Sequence, residues 1–193
     1  MGNYLNPGSQ AFQMILESEI FVDKSGLIAV TNRYIRTMQR YMCVSRPRRF
    51  GKSTAADMLA AYYGRNEDTS VLFENLKISQ EQSHLKHLNK YDVIKINMQE
   101  FLSMSESVED MLHILQMRLI KELKSTYPEV VSSDRLIFAM QDVYAETKCQ
   151  FVILIDEWDC LFREYKQDKE AQKKYLDFLR MWLKDKELSL IHI

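Results

Sequence analysis

The chain has 193 residues, enough for one domain with a substantial core, and 46% of them are apolar, as in an ordinary globular protein. Its net charge of −1 supplies no global field favouring nucleic acid or an anionic membrane, so local clusters must carry any such role. No apolar run approaches the ~20 residues that span a bilayer. The opening MGNYLNPGSQ lacks the basic-then-apolar pattern of a signal peptide, and Asn6 breaks the myristoylation pattern that Gly2 begins. A cytoplasmic protein without a membrane partner is therefore expected. Cys43, Cys149 and Cys160 are odd in number and lack C-x-x-C spacing, which points to buried reduced thiols rather than a disulfide or metal framework.

Residues 1–10 read as a loose lead-in, with Asn6-Pro7-Gly8-Ser9 a turn signal. Phe12, Ile15 and Leu16 suggest a short helix, followed by a brief extended piece over Ile20-Phe21-Val22-Asp23-Lys24. Ser25 can cap a helix running to Arg40, with Leu27, Tyr34 and Met38 on one face. Asp23 and Lys24 just before it are either a solvated ion pair at a turn or a contribution to a ligand site. Tyr41-Met42-Cys43-Val44-Ser45 has the apolar character of a buried strand. After a basic turn, Ala55, Leu59, Tyr62 and Tyr63 mark one face of a helix that Gly64-Arg65-Asn66 stops. Residues 65–90 are polar and mixed, with Val71-Leu72-Phe73 packing inward and a helix near Gln80 to Leu88. His84 and His87 can share a face of that helix, but no third ligand lies nearby, so both are expected at the surface.

Val93-Ile94-Lys95-Ile96-Asn97 is the next expected strand. Glu106 to Tyr127 is a long amphipathic helix with Val108, Met111, Leu112, Leu115, Leu119 and Leu123 as its stripe, ended by Pro128. Ser133 or Asp134 can cap a further helix with Ile137, Met140, Val143 and Tyr144 inward. Such methionine and aromatic stripes are expected as core. Gln150 to Glu157 is a strand whose five consecutive apolar residues imply burial on both faces, as in a parallel sheet. Trp158 and Phe162 follow as packing anchors. Ala171, Tyr175, Phe178, Leu179 and Trp182 mark a last helix. Leu188 to Ile193 reads as the start of another strand or as an artefactual tail. Nothing repeats at a fixed period.

Two of these segments carry chemistry. Strand, turn, Gly51-Lys52-Ser53-Thr54 and helix is the layout of a phosphate-cradling loop, in which backbone N–H groups and the helix N-terminus face anionic oxygens. Arg46, Pro47, Arg48, Arg49, Phe50, Gly51, Lys52, Ser53 and Thr54 are the candidate nucleotide-binding residues. Lys52 would reach the outer phosphates in a catalytic role, and the Ser53 hydroxyl would take a place on Mg²⁺. The template G-x-x-x-x-G-K-[ST] asks for glycine where this chain has Arg46. Arg48 and Arg49 can stabilise transition-state charge, remain solvated, or pair with nearby carboxylates. The second segment is the strand ending Asp156-Glu157, which delivers two carboxylates to the sheet edge where ligands of open α/β folds sit. Asp156 would hold Mg²⁺, and Glu157 could polarise the water that attacks the γ-phosphate.

Arg46-Pro47-Arg48-Arg49-Phe50-Gly51-Lys52-Ser53, with Phe21-Val22-Asp23-Lys24-Ser25 upstream and Leu154-Ile155-Asp156-Glu157-Trp158-Asp159 downstream, resembles the bacterial AAA-ATPase-like family. That family is similar to the archaeal-type and STAND-related P-loop ATPases, and it carries arginine where Arg46 stands. The resemblance covers the chain from about Phe12. It implies an α/β P-loop fold, a three-layer α-β-α sandwich on a parallel central sheet, with ATP and Mg²⁺ as cofactors and ATP hydrolysis as the expected reaction. Residues 1–40 are expected as lead-in helices packing on the core, and residues 41–193 as the ATPase core, incomplete at its C-terminal end. Family members commonly continue into a nuclease-like domain of the PD-(D/E)xK type, which this chain would lack, so a nucleic-acid partner would act through that missing part. The strand that should follow the Asp-Glu strand and carry a polar sensor is expected to be absent or vestigial. The alternative to an ATPase is an ATP-gated switch or nucleic-acid-associated module with little turnover. A small-molecule kinase is a third option, without a visible acceptor pocket or lid. An oligomer is compatible with either main reading.

Overall fold

A computed structural model describes the backbone of residues 2–44, 50–184 and 188–192, and side chains in the first two of these stretches. The chain divides into two compact units. The first comprises Met1–Lys95, Phe151–Asp156 and Ser189–Ile193; the second comprises Ile96–Gln150 and Glu157–Leu188.

Unit 1 is α/β. Its helices are α1 (Gln10–Leu16), α2 (Gly26–Tyr34), α3 (Lys52–Tyr63), α4 (Ser70–Phe73) and α5 (His84–His87), with a 3-10 turn at Lys77–Gln80. Its sheet has the order β1 (Tyr41–Cys43), β4 (Leu188–His192), β3 (Phe151–Asp156), β2 (Asp92–Asn97). β1 and β4 run parallel, with Tyr41 opposite Leu190 and Cys43 opposite His192. The order differs from the chain order, so the strands are joined by crossovers, as parallel pairing requires. All six residues of β3 are buried, which accounts for its unbroken apolar run. α3 packs on β3 and α1 packs on α3.

The core of this unit is built on the second half of α3. Leu59, Tyr62 and Tyr63 are buried with Phe12, Ile28, Phe73, Val93, Val152 and Leu154. Tyr62 meets the edge of Phe73 at a centroid distance of 5.3 Å, and Phe12 stacks on Phe73 at 5.2 Å. The tyrosine hydroxyls are satisfied inside the core: Tyr62 donates to the carbonyl of His84 at 2.6 Å and Tyr63 to Asn32 Oδ1 at 2.8 Å. α3 is buried on nearly every side from Ala55 onward, wider than the single face its periodicity implies, because its small residues Ala55, Ala56, Ala60 and Ala61 let neighbours close in.

Unit 2 is helical: α6 (Met98–Ser103), α7 (Val108–Thr126), α8 (Leu136–Thr147), α9 (Cys160–Glu164) and α10 (Lys169–Leu183). α7 packs against α6, α8 and α10, and α6 against α9. The six stripe residues of α7 are all buried, as are Ala171, Tyr175, Phe178, Leu179 and Trp182 of α10. The Ser107 hydroxyl accepts from the Asp110 N–H and the Asp168 carboxylate from the Ala171 N–H, so each of these helices starts on a side-chain cap. Trp182 Nε1 donates to Met140 Sδ at 3.2 Å.

Several sequence expectations are corrected. The strand at Tyr41 is a three-residue edge strand with Tyr41 and Cys43 exposed, rather than a buried one, because it lies outermost in the sheet. Cys43 is therefore an exposed thiol, whereas Cys149 and Cys160 are buried; none of the three forms a disulfide among the described residues. α2 ends at Tyr34 instead of reaching Arg40, since Arg36 adopts φ +65°, which a right-handed helix cannot contain. Its inward residues are Ile28, Ala29, Thr31 and Asn32, and Met38 is left 87% exposed. His84 and His87 are buried rather than at the surface. The segment expected as one helix near Gln80 to Leu88 is a 3-10 turn followed by the single turn of α5. α8 starts after Arg135 with no side-chain cap from Ser133 or Asp134, and Ile137 and Tyr144 are only half-buried. Of the two readings of the segment from Leu188, the strand is the one that forms: Leu188–His192 is β4, between β1 and β3.

Candidate functional site

α3 opens on Gly51, whose φ of +70° and ψ of +42° lie in the left-handed region that glycine occupies without steric cost. As at any helix start, the first N–H groups of α3 have no intrahelical acceptor, and no side-chain cap takes them up among the described residues. No acidic residue stands in the first turn of this helix, so its positive end is not neutralised from within. Lys52 and Thr54 are half-buried there and Ser53 is exposed. Phe50 is 61% exposed, so it is no part of the core. The candidates Arg46, Pro47, Arg48 and Arg49 lie outside the described residues.

The two chemical segments meet in unit 1. Ser53 Oγ donates to Asp156 Oδ2 at 2.6 Å, across 103 positions of sequence. The packing of α3 on β3 brings this about, since the first turn of the helix then lies at the carboxyl end of the strand. Asp156 is buried, 4% exposed. A hydroxyl and a carboxylate side by side form an all-oxygen donor pair suited to a hard divalent cation, which takes one or two carboxylates and leaves its other positions to water and phosphate. The residues present thus fit Mg²⁺. Among the described residues no cluster of three histidine, cysteine or carboxylate side chains offers a separate metal site.

The tripeptide Asp23-Lys24-Ser25 divides its work. Asp23 Oδ1 accepts from the Ser25 N–H and Oδ2 from the Lys77 N–H, each at 2.8 Å. Partial burial pushes the Asp23 carboxyl up, but hydrogen bonds with Ser25 and Lys77 outweigh it and hold the group below the usual aspartate range. Lys24 turns away from Asp23 and donates from Nζ to the Phe50 carbonyl at 2.7 Å, at the turn before α3. The turn ion pair left open by the sequence is thus not formed.

In unit 2, Glu157 adopts φ +52°, a left-handed backbone rare for a residue with a side chain. Its carboxylate pairs with Arg163 at 2.5 Å, and Arg163 also holds Asp159 at 2.5 Å and Gln99 Oε1 at 3.3 Å. Burial works against the Arg163 charge, but the two carboxylates prevail and raise its pKa. Sequence reading missed Arg163 as their partner; its place four residues after Asp159, on one helical turn, was the available signal. Burial pushes the Cys160 thiol up to about 11, which leaves it protonated and a poor nucleophile.

No helix among the described residues is long and apolar enough to cross a membrane. No curated protein and no solved structure matches the chain. The family described as AAA-ATPase_like, Predicted AAA-ATPase, matches residues 7–189. The match runs from the lead-in of α1 into β4 and takes in both the Gly-Lys-Ser turn and the Asp156 strand, so the chain belongs to the AAA-ATPase-like family, with an ATP-related function.

Proposed function

We propose that this chain binds Mg·ATP at the turn opening α3 and hydrolyses it. The observation carrying this reading is the Ser53–Asp156 hydrogen bond, because it unites the hydroxyl and the carboxylate that a phosphate loop and an acidic strand tip each contribute to one metal. Ser53 and Asp156 would hold the ion, whose charge would neutralise phosphate oxygens as negative charge develops on them. Lys52, with the free N–H groups at the start of α3, would bind the phosphates. The basic run Arg46, Arg48 and Arg49 would add charge from the turn. Glu157, next in the chain after Asp156, would orient and deprotonate the attacking water. The P-loop three-layer sandwich is the fold this proposal implies, with the four-stranded sheet as its centre, and a cytoplasmic setting suits its substrate.

Calorimetry on the wild-type chain and on Lys52→Ala and Glu157→Gln tests the assignment. A hydrogen bond to a charged group contributes about 1.5–3 kcal/mol, so Lys52→Ala should weaken ATP roughly ten- to hundredfold. ATP binding as tight as in the wild type would exclude the loop. Glu157→Gln should bind ATP normally and release no phosphate, and undiminished turnover would remove Glu157 from the reaction.

A second reading, an ATP-gated switch with little turnover, is favoured by one observation. Glu157 is already engaged by Arg163, a partner that competes with an attacking water for the carboxylate oxygen. Turnover that stays negligible with saturating Mg·ATP, alongside normal binding, would select this reading.

A further inference from the structure

The geometry points to Lys24 as a second lysine of the phosphate site, one that leaves the Phe50 carbonyl to bind the phosphate chain of the nucleotide; this rests on the ATP site proposed above. Three observations carry it. The first is position: Lys24 Nζ is 2.7 Å from the Phe50 oxygen, and a Cβ placed on Gly51 would lie 2.3 Å from that same Nζ. The ammonium therefore fills the space over Gly51 that the missing side chain leaves open, directly ahead of the first turn of α3.

The second is preorganisation. Both neighbours of Lys24 are committed to holding the backbone. Asp23 accepts from the N–H groups of Ser25 and Lys77, and the buried Ser25 Oγ accepts from the Ile78 N–H at 3.1 Å. The backbone on either side of Lys24 is thus tied to the 3-10 turn, and only the lysine side chain remains to reach towards Gly51.

The third is electrostatic. Among the described residues no carboxylate is paired with Lys24, whose acceptor is a neutral carbonyl. The cation sits instead beside a helix start that has no acidic residue in its first turn and bears Lys52. A cation next to the positive end of a helix is unfavourable until an anion shares both. A polyphosphate does so, exchanging a neutral acceptor for a charged one, and charge-assisted bonds are roughly twice as strong as neutral ones. Lys24 would then bind the polyphosphate of ATP and ADP but contribute little to AMP.

The test is ATP, ADP and AMP affinity of the 193-residue chain with Lys24→Met, which keeps the stem and removes the charge, and with Lys24→Arg. Lys24→Met should weaken ATP about tenfold, the loss of one charged hydrogen bond, and leave AMP unchanged. Lys24→Arg should restore most of the ATP affinity, which a purely structural role for the ammonium stem would not require. Amine acetylation read by mass spectrometry provides a measurement on the unmodified sequence: saturating ATP should protect Lys24 severalfold and AMP should not. If Lys24→Met binds ATP as tightly as the wild type while Lys52→Ala does not, Lys24 has no such role and the site stands. Lack of ATP binding by the wild type would overturn both. Should Lys24→Met fail to fold, acetylation of Lys24 that ATP leaves unchanged overturns the proposal.

Discussion

Lys24, Ser53 and Asp156 illustrate how single side chains in this protein take meaning from partners far along the chain. Ser53 reaches a carboxylate 103 positions away, and Lys24 a carbonyl 26 positions away. His87 is a parallel case away from the site. It is buried, with Nδ1 2.6 Å from the Tyr91 hydroxyl and its ring stacked on that tyrosine. Burial, reinforced by the charges of Lys86 and Arg36, lowers its pKa from 6.5 to about 4. The unfolded chain therefore binds a proton near pH 6.5 that the folded chain refuses until about pH 4. The stability due to neutral His87 is complete above pH 6.5 and is lost as pH falls towards 4. The depression corresponds to an effect of about 3 kcal/mol. Urea unfolding of wild type and His87→Gln at a series of pH values should show the steeper loss on acidification in the wild type. Parallel profiles would mean that His87 is not the group responsible.

At the scale of elements, α7 and α10 are the helices most legible in the sequence, whereas the short α6 and α9 carry too few turns for a periodic pattern to announce them. The Ser107 cap, the six-residue stripe and the stop at Pro128 all agree for α7, and local consistency of this kind makes a prediction reliable. Leu115 lies in the middle of that stripe and is fully buried. Leu115→Ala should cost about 2–5 kcal/mol by removing buried methyl groups and leaving a cavity, with the denaturation midpoint as the readout. A loss no larger than that of an exposed substitution would mean that α7 does not carry the unit. α2 is the counter-example. Its sequence permits helix to Arg40, yet its end is decided by the left-handed backbone at Arg36, which no local apolar pattern announces.

At the scale of the whole molecule, unit 1 is assembled from three separated stretches of chain, so its sheet closes only when β3 and β4 return to it. β4 stands between β1 and β3, and β1 sits at the sheet edge with β4 as its neighbour. Deletion of residues 189–193 should therefore release β1, and with it the strand that leads into the phosphate turn. The truncated chain is expected to unfold at lower urea concentration and to lose ATP affinity, both measured against the full chain. Unchanged stability and binding would show that β4 does not support the site.

The amino-acid sequence by itself determined the long helices, the buried strand that ends at Asp156, and the two segments expected to handle a nucleotide. These are encoded by residues within one or two turns of each other, through periodicity, caps and runs of apolar side chains. Only the tertiary structure decided that β1 is an edge and β4 an interior strand, that His84 and His87 are buried, and that Lys24 reaches the turn at Gly51 while Asp23 is tied to Lys77. Strand order, burial of a polar ring and the reach of a lysine depend on which distant segments pack together. A short strand of three residues or a lone histidine carries no local pattern that distinguishes one outcome from the other.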